Sequence, residues 1–457
     1  MRQDPRIAAL SVRLDAGEAL SAPLVQLARL LVALEQRQWH SQEDIRERQL
    51  AQLSRVVDHF HAVDTDFAKR LDDAGLKAAD LAGETGLTAL PVLTRAQLQA
   101  RTLADETAIR RRLPEGHGGV FRASTSGSTG EPVTVWKTGL GDLFWRALSL
   151  RYHLWAEFGL DGRLAAIRAN QAHFGMRPDW GDSVHALFGT GPALLIDIDS
   201  DIADQLARLA EFDPHSLMVY PSNLGGLLDL MDEKGTTLAT LSTIRTMGET
   251  LSPQLRGRAT RQTGARVHDC YSSQELGYLA MQCPDVPDYY HVMADSVLIE
   301  LLRDDGSAAE PGEIGRVVVS DLVNFATPLI RYDIGDYAMA AGACPCRRGL
   351  PALHRIMGRE RNLIRKPDGS RHWPLTGFPG FRAIAPIRQY QFRQTAIDRI
   401  ELRFGVERGL TEAEEAALAD HVRTTLRYPF DLDFSYFEGR LPLGANGKFE
   451  EFVSLID

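Results

Sequence analysis

The hydrophobic positions change period along the chain. Leu24, Leu27, Ala28, Leu31 and Leu34 recur at i, i+3, i+4 and i+7, which puts them on one face of a helix. Pro23 lies close to its start, where a missing N–H costs little. About the first hundred residues read as helices. Leu90-Pro91-Val92-Leu93-Thr94 breaks the pattern, and Thr94 is placed to cap a helix running through Leu98.

From about residue 118, short apolar runs alternate with helical patterns. Residues 193–198 and 217–220 predict buried strands, and residues 202–212 and 223–233 predict the helices that follow them. Such alternation predicts an α/β core with at least partly parallel sheet. Residues 297–302 and 316–320, joined by a polar Gly/Pro-rich link, predict a β-rich subdomain. The expected architecture is a large N-terminal domain, 1–360, of α/β subdomains plus that β-rich subdomain. A small α+β C-terminal domain, 361–457, follows.

Composition narrows the function classes. A length of 457 residues allows two to four domains or subdomains. With 44% hydrophobic and 25% charged residues the chain has the make-up of a soluble globular enzyme. A formal net charge of -10 argues against a general nucleic-acid binder, which needs a dominant basic surface. Met1-Arg2-Gln3-Asp4-Pro5 has no apolar stretch like that of a signal peptide. No segment approaches the roughly 18 apolar residues of a membrane span. Four cysteines argue against a disulfide scaffold and fit a reducing cytoplasm. The expectation is a cytoplasmic enzyme without nucleic-acid or membrane partners; a homodimer is compatible with it. One local charge bias stands out. Arg361, Arg365, Lys366, Arg371, Arg382, Arg388, Arg393 and Arg399 face only Asp368 and Asp398 within 361–399. This is either a solvated surface or a docking face for an anionic acceptor.

The most informative segment is Ser124-Thr125-Ser126-Gly127-Ser128-Thr129-Gly130-Glu131-Pro132. Two glycines let the backbone turn tightly, and the hydroxyl residues add donors without bulk, so the loop can cradle phosphate oxygens. An ordinary loop can have this composition; the order of hydroxyls and glycines sets it apart. It is not a Walker A loop, and the only Gly-Lys pair in range, Gly447-Lys448, is followed by Phe449. A P-loop hydrolase or kinase is therefore disfavoured.

Here the chain resembles the adenylate-forming superfamily of acyl-CoA synthetases, carrier-protein adenylation domains and luciferases, with its closest likeness to the phenylacetate-CoA ligase branch. Leu90-Pro91-Val92-Leu93-Thr94-Arg95 is similar to that branch's N-terminal segment. Thr246-Met247-Gly248-Glu249 sits where the family lines the adenine pocket, and Tyr271-Ser272-Ser273-Gln274-Glu275 resembles its aromatic-x-x-[ST]-E motif. Thr327-Pro328-Leu329-Ile330-Arg331-Tyr332-Asp333-Ile334-Gly335-Asp336 is the most specific match. Gly358-Arg359-Glu360-Arg361 matches the hinge, and Leu441-Pro442-Leu443-Gly444-Ala445-Asn446-Gly447-Lys448 the C-terminal lysine loop.

The resemblance implies ATP-dependent conversion of a carboxylic acid, aryl or arylacetic in this branch, to acyl-AMP. Pyrophosphate leaves, and the acyl group passes to coenzyme A or to the phosphopantetheine arm of an acyl carrier protein. A carboxylate is already ionised near pH 7, so its attack needs charge neutralisation and in-line geometry rather than a base. The resemblance assigns Thr125, Ser126, Ser128 and Thr129, with the amides of Gly127 and Gly130, to the β- and γ-phosphates. Gly248, Glu249, Tyr271 and Ser272 would line the nucleotide site, Tyr271 stacking on adenine. Glu275 would bind Mg²⁺, Asp336 the ribose hydroxyls, and Arg359 the ribose or a phosphate. Lys448 would bridge the attacking carboxylate and the α-phosphate, and Arg361 would serve as the hinge. Each residue also has a plain reading: Glu275 as a helix N-terminal carboxylate, Asp336 as the end of a turn, Lys448 as an exposed loop lysine.

Three departures from the family pattern matter. Glu131 replaces a lysine after the second glycine, removing one counter-charge to the leaving pyrophosphate. Gln274 replaces a hydroxyl residue, and Arg361-Asn362 replaces Asp-Asp at the hinge. The acid pocket is expected near Tyr220, Pro221 and Asn223. Cys283, His291, Cys344 and Cys346 offer three thiols and one imidazole, a standard tetrahedral zinc set. The alternative is small buried apolar cysteines. Some members of the branch carry a structural zinc in this region. A non-catalytic nucleotide-binding relative is disfavoured by Glu275, Asp336, Arg359 and Lys448 together.

Overall fold

The computed structural model describes residues 4–16, 20–101, 104–124, 132–156, 159–169, 171–359, 363–369, 371–372, 381–438, 441–442, 449 and 451–456, the backbone alone for residues 182, 371, 372 and 382. The predicted helix around Leu27 runs over Ala22–Arg37 with Pro23 in its first turn, and it buries Leu27, Ala28, Leu31 and Leu34. These side chains pack against the long helix Gly139–Trp155. Thr94 caps Arg95–Ala100 by accepting a hydrogen bond from the Gln97 amide at 3.2 Å.

Strands β1 (Val120–Ser124) and β2 (Thr134–Thr138) form an antiparallel pair on either side of the glycine-hydroxyl loop. Twelve further strands make one sheet among the described residues. They are β3 (Leu164–Arg168), β4 (Gly175–Arg177), β5 (Ala193–Asp197), β6 (Ser216–Val219), β7 (Thr243–Thr246), β8 (Arg266–Ser273), β9 (Gly277–Gln282), β10 (Tyr290–Val292), β11 (Val297–Leu302), β12 (Ile314–Asp321), β13 (Tyr332–Ala340) and β14 (Ala352–Arg359). Their order is β11-β12-β13-β14-β10-β9-β8-β7-β6-β3-β5-β4.

The β5-β3-β6-β7-β8 half is parallel. Its crossover helices Ile202–Phe212, Pro221–Lys234 and Pro253–Thr263 cover a face of Ile167, Leu217, Val219, Ile244 and Val267. From β8 through β11 every pairing is antiparallel. The expected α/β and β-rich parts are thus halves of a single sheet, with β8 belonging to both. The predicted pattern shows the strands but not this junction, because the β7–β8 and β8–β9 pairings are tertiary facts.

Residues beyond the 360–362 boundary, itself outside the described residues, build a separate sheet. Its order is β19-β18-β17-β20, from β17 (Ile387–Ala396), β18 (Arg399–Val406), β19 (Asp431–Glu438) and β20 (Phe452–Ser454); a short pair, β15 (Ile364–Arg365) with β16 (Arg371–His372), precedes it. The helix Glu412–Leu426 covers it, with Phe392, Phe404, Leu418, Val422 and Phe430 as core. Among the described residues, no helix is long and apolar enough to cross a membrane.

Candidate functional site

Ligand clefts in open α/β sheets form beyond the carboxyl ends of the parallel strands, where the strand order reverses. Here β3 leads outward to β5, whereas β6 leads the other way to β7 and β8, so the switch lies between β3 and β6. A cleft of about 3080 Å³ opens there. Arg168, Tyr220, Gly248, Tyr271, Glu275 and Asp336 are among its lining residues.

The most specific sequence match is tied into the sheet by its own backbone. Arg331 adopts φ +50, an uncommon conformation for a residue with a side chain. Its guanidinium donates to the Leu90 carbonyl at 2.5 Å and pairs with Glu300 at 3.0 Å. Leu93 donates its amide to the Arg331 carbonyl at 2.7 Å and accepts from the Asp333 amide at 2.9 Å. Thr327 Oγ1 accepts from the Trp136 amide at 2.9 Å, which fixes β2 against the same segment. The landmarks around residues 90, 135 and 330 are therefore one hydrogen-bonded unit.

That unit delivers side chains to the cleft. Asp336 and Arg359 are register partners on β13 and β14, and Arg359 Nε lies 3.0 Å from Asp336 Oδ1. The Tyr271 hydroxyl donates to Asp336 Oδ2 at 2.7 Å. Each carboxylate oxygen can accept more than one hydrogen bond, so Asp336 keeps acceptor capacity for a diol. Asp336 lies within a strand, which overturns its plain reading as the end of a turn. We expect Asp336→Asn to raise the KM for ATP by about tenfold or more, the size of losing a charge-assisted hydrogen bond. Pyrophosphate release at varied ATP measures this.

Glu275 sits in the turn between β8 and β9, not at a helix start, so its reading as a helix N-terminal carboxylate is also overturned. Ser273 shapes that turn by accepting from the Leu276 amide at 3.1 Å. The buried carboxylate faces Arg95 at 3.5 Å. Lys137, on β2, is within electrostatic reach: burial lowers its pKa, against the pull of Asp321, Glu275 and Asp142. A carboxylate flanked by two cations in a polyanion-sized cleft fits a hard divalent cation shared with phosphate oxygens. Arg95 and Lys137 were not assigned roles from the sequence. The only signal was Arg95's place at the end of the Leu90–Arg95 landmark.

No family model matches the chain. It is 23% identical over 332 residues to a phenylacetate-coenzyme A ligase of Aromatoleum evansii, covering 71% of this chain and 72% of the relative. It is likewise 23% identical over 350 residues to a phenylacetate-coenzyme A ligase of Thermus thermophilus, covering 70% and 72%. A solved structure of 2-hydroxyisobutyryl-CoA ligase in the postadenylation state matches with a TM-score of 0.70 at 16% identity, over 89% of this chain and 88% of that one. An anthranilate CoA ligase in complex with anthranoyl-AMP matches with a TM-score of 0.55 at 15% identity, over 75% and 69%. The chain thus shares the fold of these CoA ligases and has a weak sequence likeness to phenylacetate-coenzyme A ligases over about 70% of its length.

Several cleft residues named from the sequence also make structural contacts. Gly248, at φ +76, turns the chain after β7. The carboxylate of Glu249 accepts from the Ser222 amide at 2.8 Å and from its hydroxyl at 3.0 Å. It therefore caps the helix Pro221–Lys234, where an anion is favoured. Asn223 is buried and donates to Gln205 at 2.6 Å, an inter-helix tie, and it also lines the cleft. Ser272 follows Tyr271 on β8, and Gln274 is exposed within the cleft, so its amide is available to a phosphate. Residues 125–131, Arg361, Asn362 and Lys448 lie outside the described residues.

Three residues of the basic stretch have acidic partners among the described residues. Arg388 pairs with Glu407 at 2.9 Å, Arg393 with Glu401 at 3.4 Å, and Arg399 with Asp431 and Asp433 at 3.8 Å. For these three, the excess in sequence is offset by residues of neighbouring strands or turns.

The four metal-site candidates do converge. The ligand atoms of Cys283, His291, Cys344 and Cys346 all lie within 4.8 Å of one another. Cys283 follows β9, His291 is on β10, and Cys344-Pro345-Cys346 forms the turn before β14. The Cys344 and Cys283 sulfurs are 3.8 Å apart, and His291 Nε2 is 3.2 Å from Cys346 Sγ. Burial pushes the Cys346 thiol up, but His291 and the Arg348 amide outweigh it and bring it to about 6. Gly349 lets this knuckle meet the N-terminal helices, since a Cβ there would lie 1.7 Å from the His40 carbonyl.

Proposed function

We propose that the chain is an AMP-forming acid–thiol ligase. A carboxylate oxygen attacks the α-phosphorus of ATP and pyrophosphate leaves. A thiolate then attacks the acyl carbon of the acyl-AMP and AMP leaves, the thiol proton passing to solvent. The observation that carries this reading is the convergence of Tyr271, Asp336 and Arg359 with Glu275, Arg95 and Lys137 around one cleft. The first three suit a nucleoside. The second three suit metal-bound phosphates.

In this reading Glu275 holds Mg²⁺, and the loop 125–130 holds the β- and γ-phosphates. Arg95 and Lys137 supply the counter-charge that Glu131 does not. Lys448 belongs to a mobile domain, 361–457, that turns about Arg361 between the half-reactions. The phenylacetate-CoA ligase relatives support an aryl or arylacetic acid and coenzyme A as acceptor. Cys283, His291, Cys344 and Cys346 hold a structural zinc, because four protein ligands leave no open position for catalysis.

Pyrophosphate release with Mg-ATP, across a panel of aromatic and aliphatic acids, tests the reading with and without coenzyme A or a carrier protein. At least one acid should release pyrophosphate and yield AMP. ADP and phosphate as the products, or no acid-dependent release, would overturn the reading.

A further inference from the structure

The two faces of the parallel half-sheet differ in chemistry. One is aliphatic and covered by the crossover helices. On the other, the register aligns Ala166 of β3 with Met218 of β6, and Met218 with Arg245 of β7. Arg168 lies two residues beyond Ala166 and so shares its face.

Two guanidinium groups meet on this floor. Arg168 Nη1 donates to the Met218 sulfur at 3.0 Å, and Arg245 Nη2 donates to the same sulfur at 3.2 Å. Arg245 is 4% exposed, with its guanidinium 4.7 Å from the centroid of the Tyr152 ring. The shared sulfur thus brings two like charges side by side at the cleft floor. The positive potential is felt nearby: burial first, then Arg245 and Arg6, hold the His153 imidazole well below its ordinary pKa. Arg168, Met218 and Arg245 all line the cleft at the switch between β3 and β6, as do Ser149, His153 and Trp180. Glu275 and Asp336, which mark the phosphate and ribose ends, belong to the β8 and β13 side of the same cleft.

We propose that Arg168 and Arg245 receive a second anionic group of the acid substrate, so that the site activates a dicarboxylic acid. Its near carboxylate meets the α-phosphate. Its far carboxylate is held over Met218 by the two guanidiniums, a planar donor arrangement suited to a carboxylate. This rests on the adenylation reading above and names the substrate class of the same site.

The test uses hydrolysis-resistant acyl-sulfamoyl adenosines, which mimic the acyl-adenylate. Calorimetry compares the benzoyl compound with its ortho-, meta- and para-carboxy derivatives, and the butanoyl compound with the succinyl one. At least one carboxylated member should bind about 10–100-fold tighter than its parent, the size expected of charge-assisted hydrogen bonds. Arg168→Met and Arg245→Met should each remove most of that difference. Melting curves check folding, and if Arg245→Met unfolds the chain, the less buried Arg168→Met carries the comparison. Parents that bind as tightly as every carboxylated partner would overturn the dicarboxylate proposal and leave adenylation standing. So would a preference that survives in both variants. If neither parents nor carboxylated compounds bound at all, the adenylation reading itself would fall.

Discussion

Lys448→Ala should lower acyl-adenylate formation by roughly 10²–10³-fold, the size of losing one preorganised donor to transition-state charge. The argument begins with the substrate. A carboxylate attacking a phosphate brings two anions together, so charge neutralisation at the α-phosphate is what the protein must add. Arg95 lies 3.5 Å from Glu275 and Lys137 is within electrostatic reach, which the proposed reading makes the metal and leaving-group end. Arg359 is engaged with Asp336. In the proposed reading the attacking oxygen is left to Lys448, which the sequence places in the C-terminal part. If that part turns away after adenylation, Lys448 serves the first half-reaction only. Thioester formation from supplied acyl-adenylate should then continue at near the unaltered rate in Lys448→Ala. Arg361→Pro should show the opposite split, because a fixed φ stiffens the turning point. Both half-reactions are read separately, by pyrophosphate release and by thioester formation from added acyl-AMP. Equal loss in both for Lys448→Ala would remove the two-state account.

Much of the fold was legible because its strands and helices carry their own period. The runs at 193 and 217 and the helices after them lie within one or two residues of their predicted bounds. Tyr271, Glu275, Asp336 and Arg359 could be named together because they sit in ordered landmarks, and the structure brings them to one cleft. What the landmarks could not show is which side chain does the work. Glu249, read as part of the nucleotide wall, lines the cleft and also accepts from the amide and hydroxyl of Ser222, a contact the landmark does not show. Arg95 meets Glu275 only because Leu93 bonds to the Arg331–Asp333 segment, a contact between strands far apart in sequence. The basic residues of 388–399 looked unopposed because their acidic partners, Glu407, Glu401, Asp431 and Asp433, belong mostly to neighbouring strands or turns. Local pattern predicts elements. Pairing and charge compensation require topology.

Protein prepared without chelators should carry about one zinc per chain, and Cys346→Ser should lose it together with a drop of several degrees in melting temperature. Thiolates bound at about 2.3 Å in a tetrahedral site lie roughly 3.8 Å from one another, and the Cys344 and Cys283 sulfurs are 3.8 Å apart. Burial pushes the Cys344 thiol up to about 12 and raises Cys283 as well, so without a cation these thiols stay protonated in a closed cluster. A divalent ion reverses that, since a coordinated thiol is deprotonated. Binding should therefore be coupled to folding and weaken as pH falls. The effect should reach beyond the knuckle. Arg348, whose amide faces Cys346 Sγ at 3.5 Å, bonds Gln38 at 2.7 Å and Asp285 at 2.5 Å. Its guanidinium also lies 4.7 Å from the Trp39 ring centroid and 5.0 Å from that of Trp155. Loss of the metal should thus loosen the N-terminal helices first, which hydrogen exchange at residues 22–37 would show as earlier opening than in β6–β8. Elemental analysis of the purified protein decides the matter, and a zinc content near zero with an unchanged melting curve in Cys346→Ser would leave the four residues as a buried thiol cluster without metal.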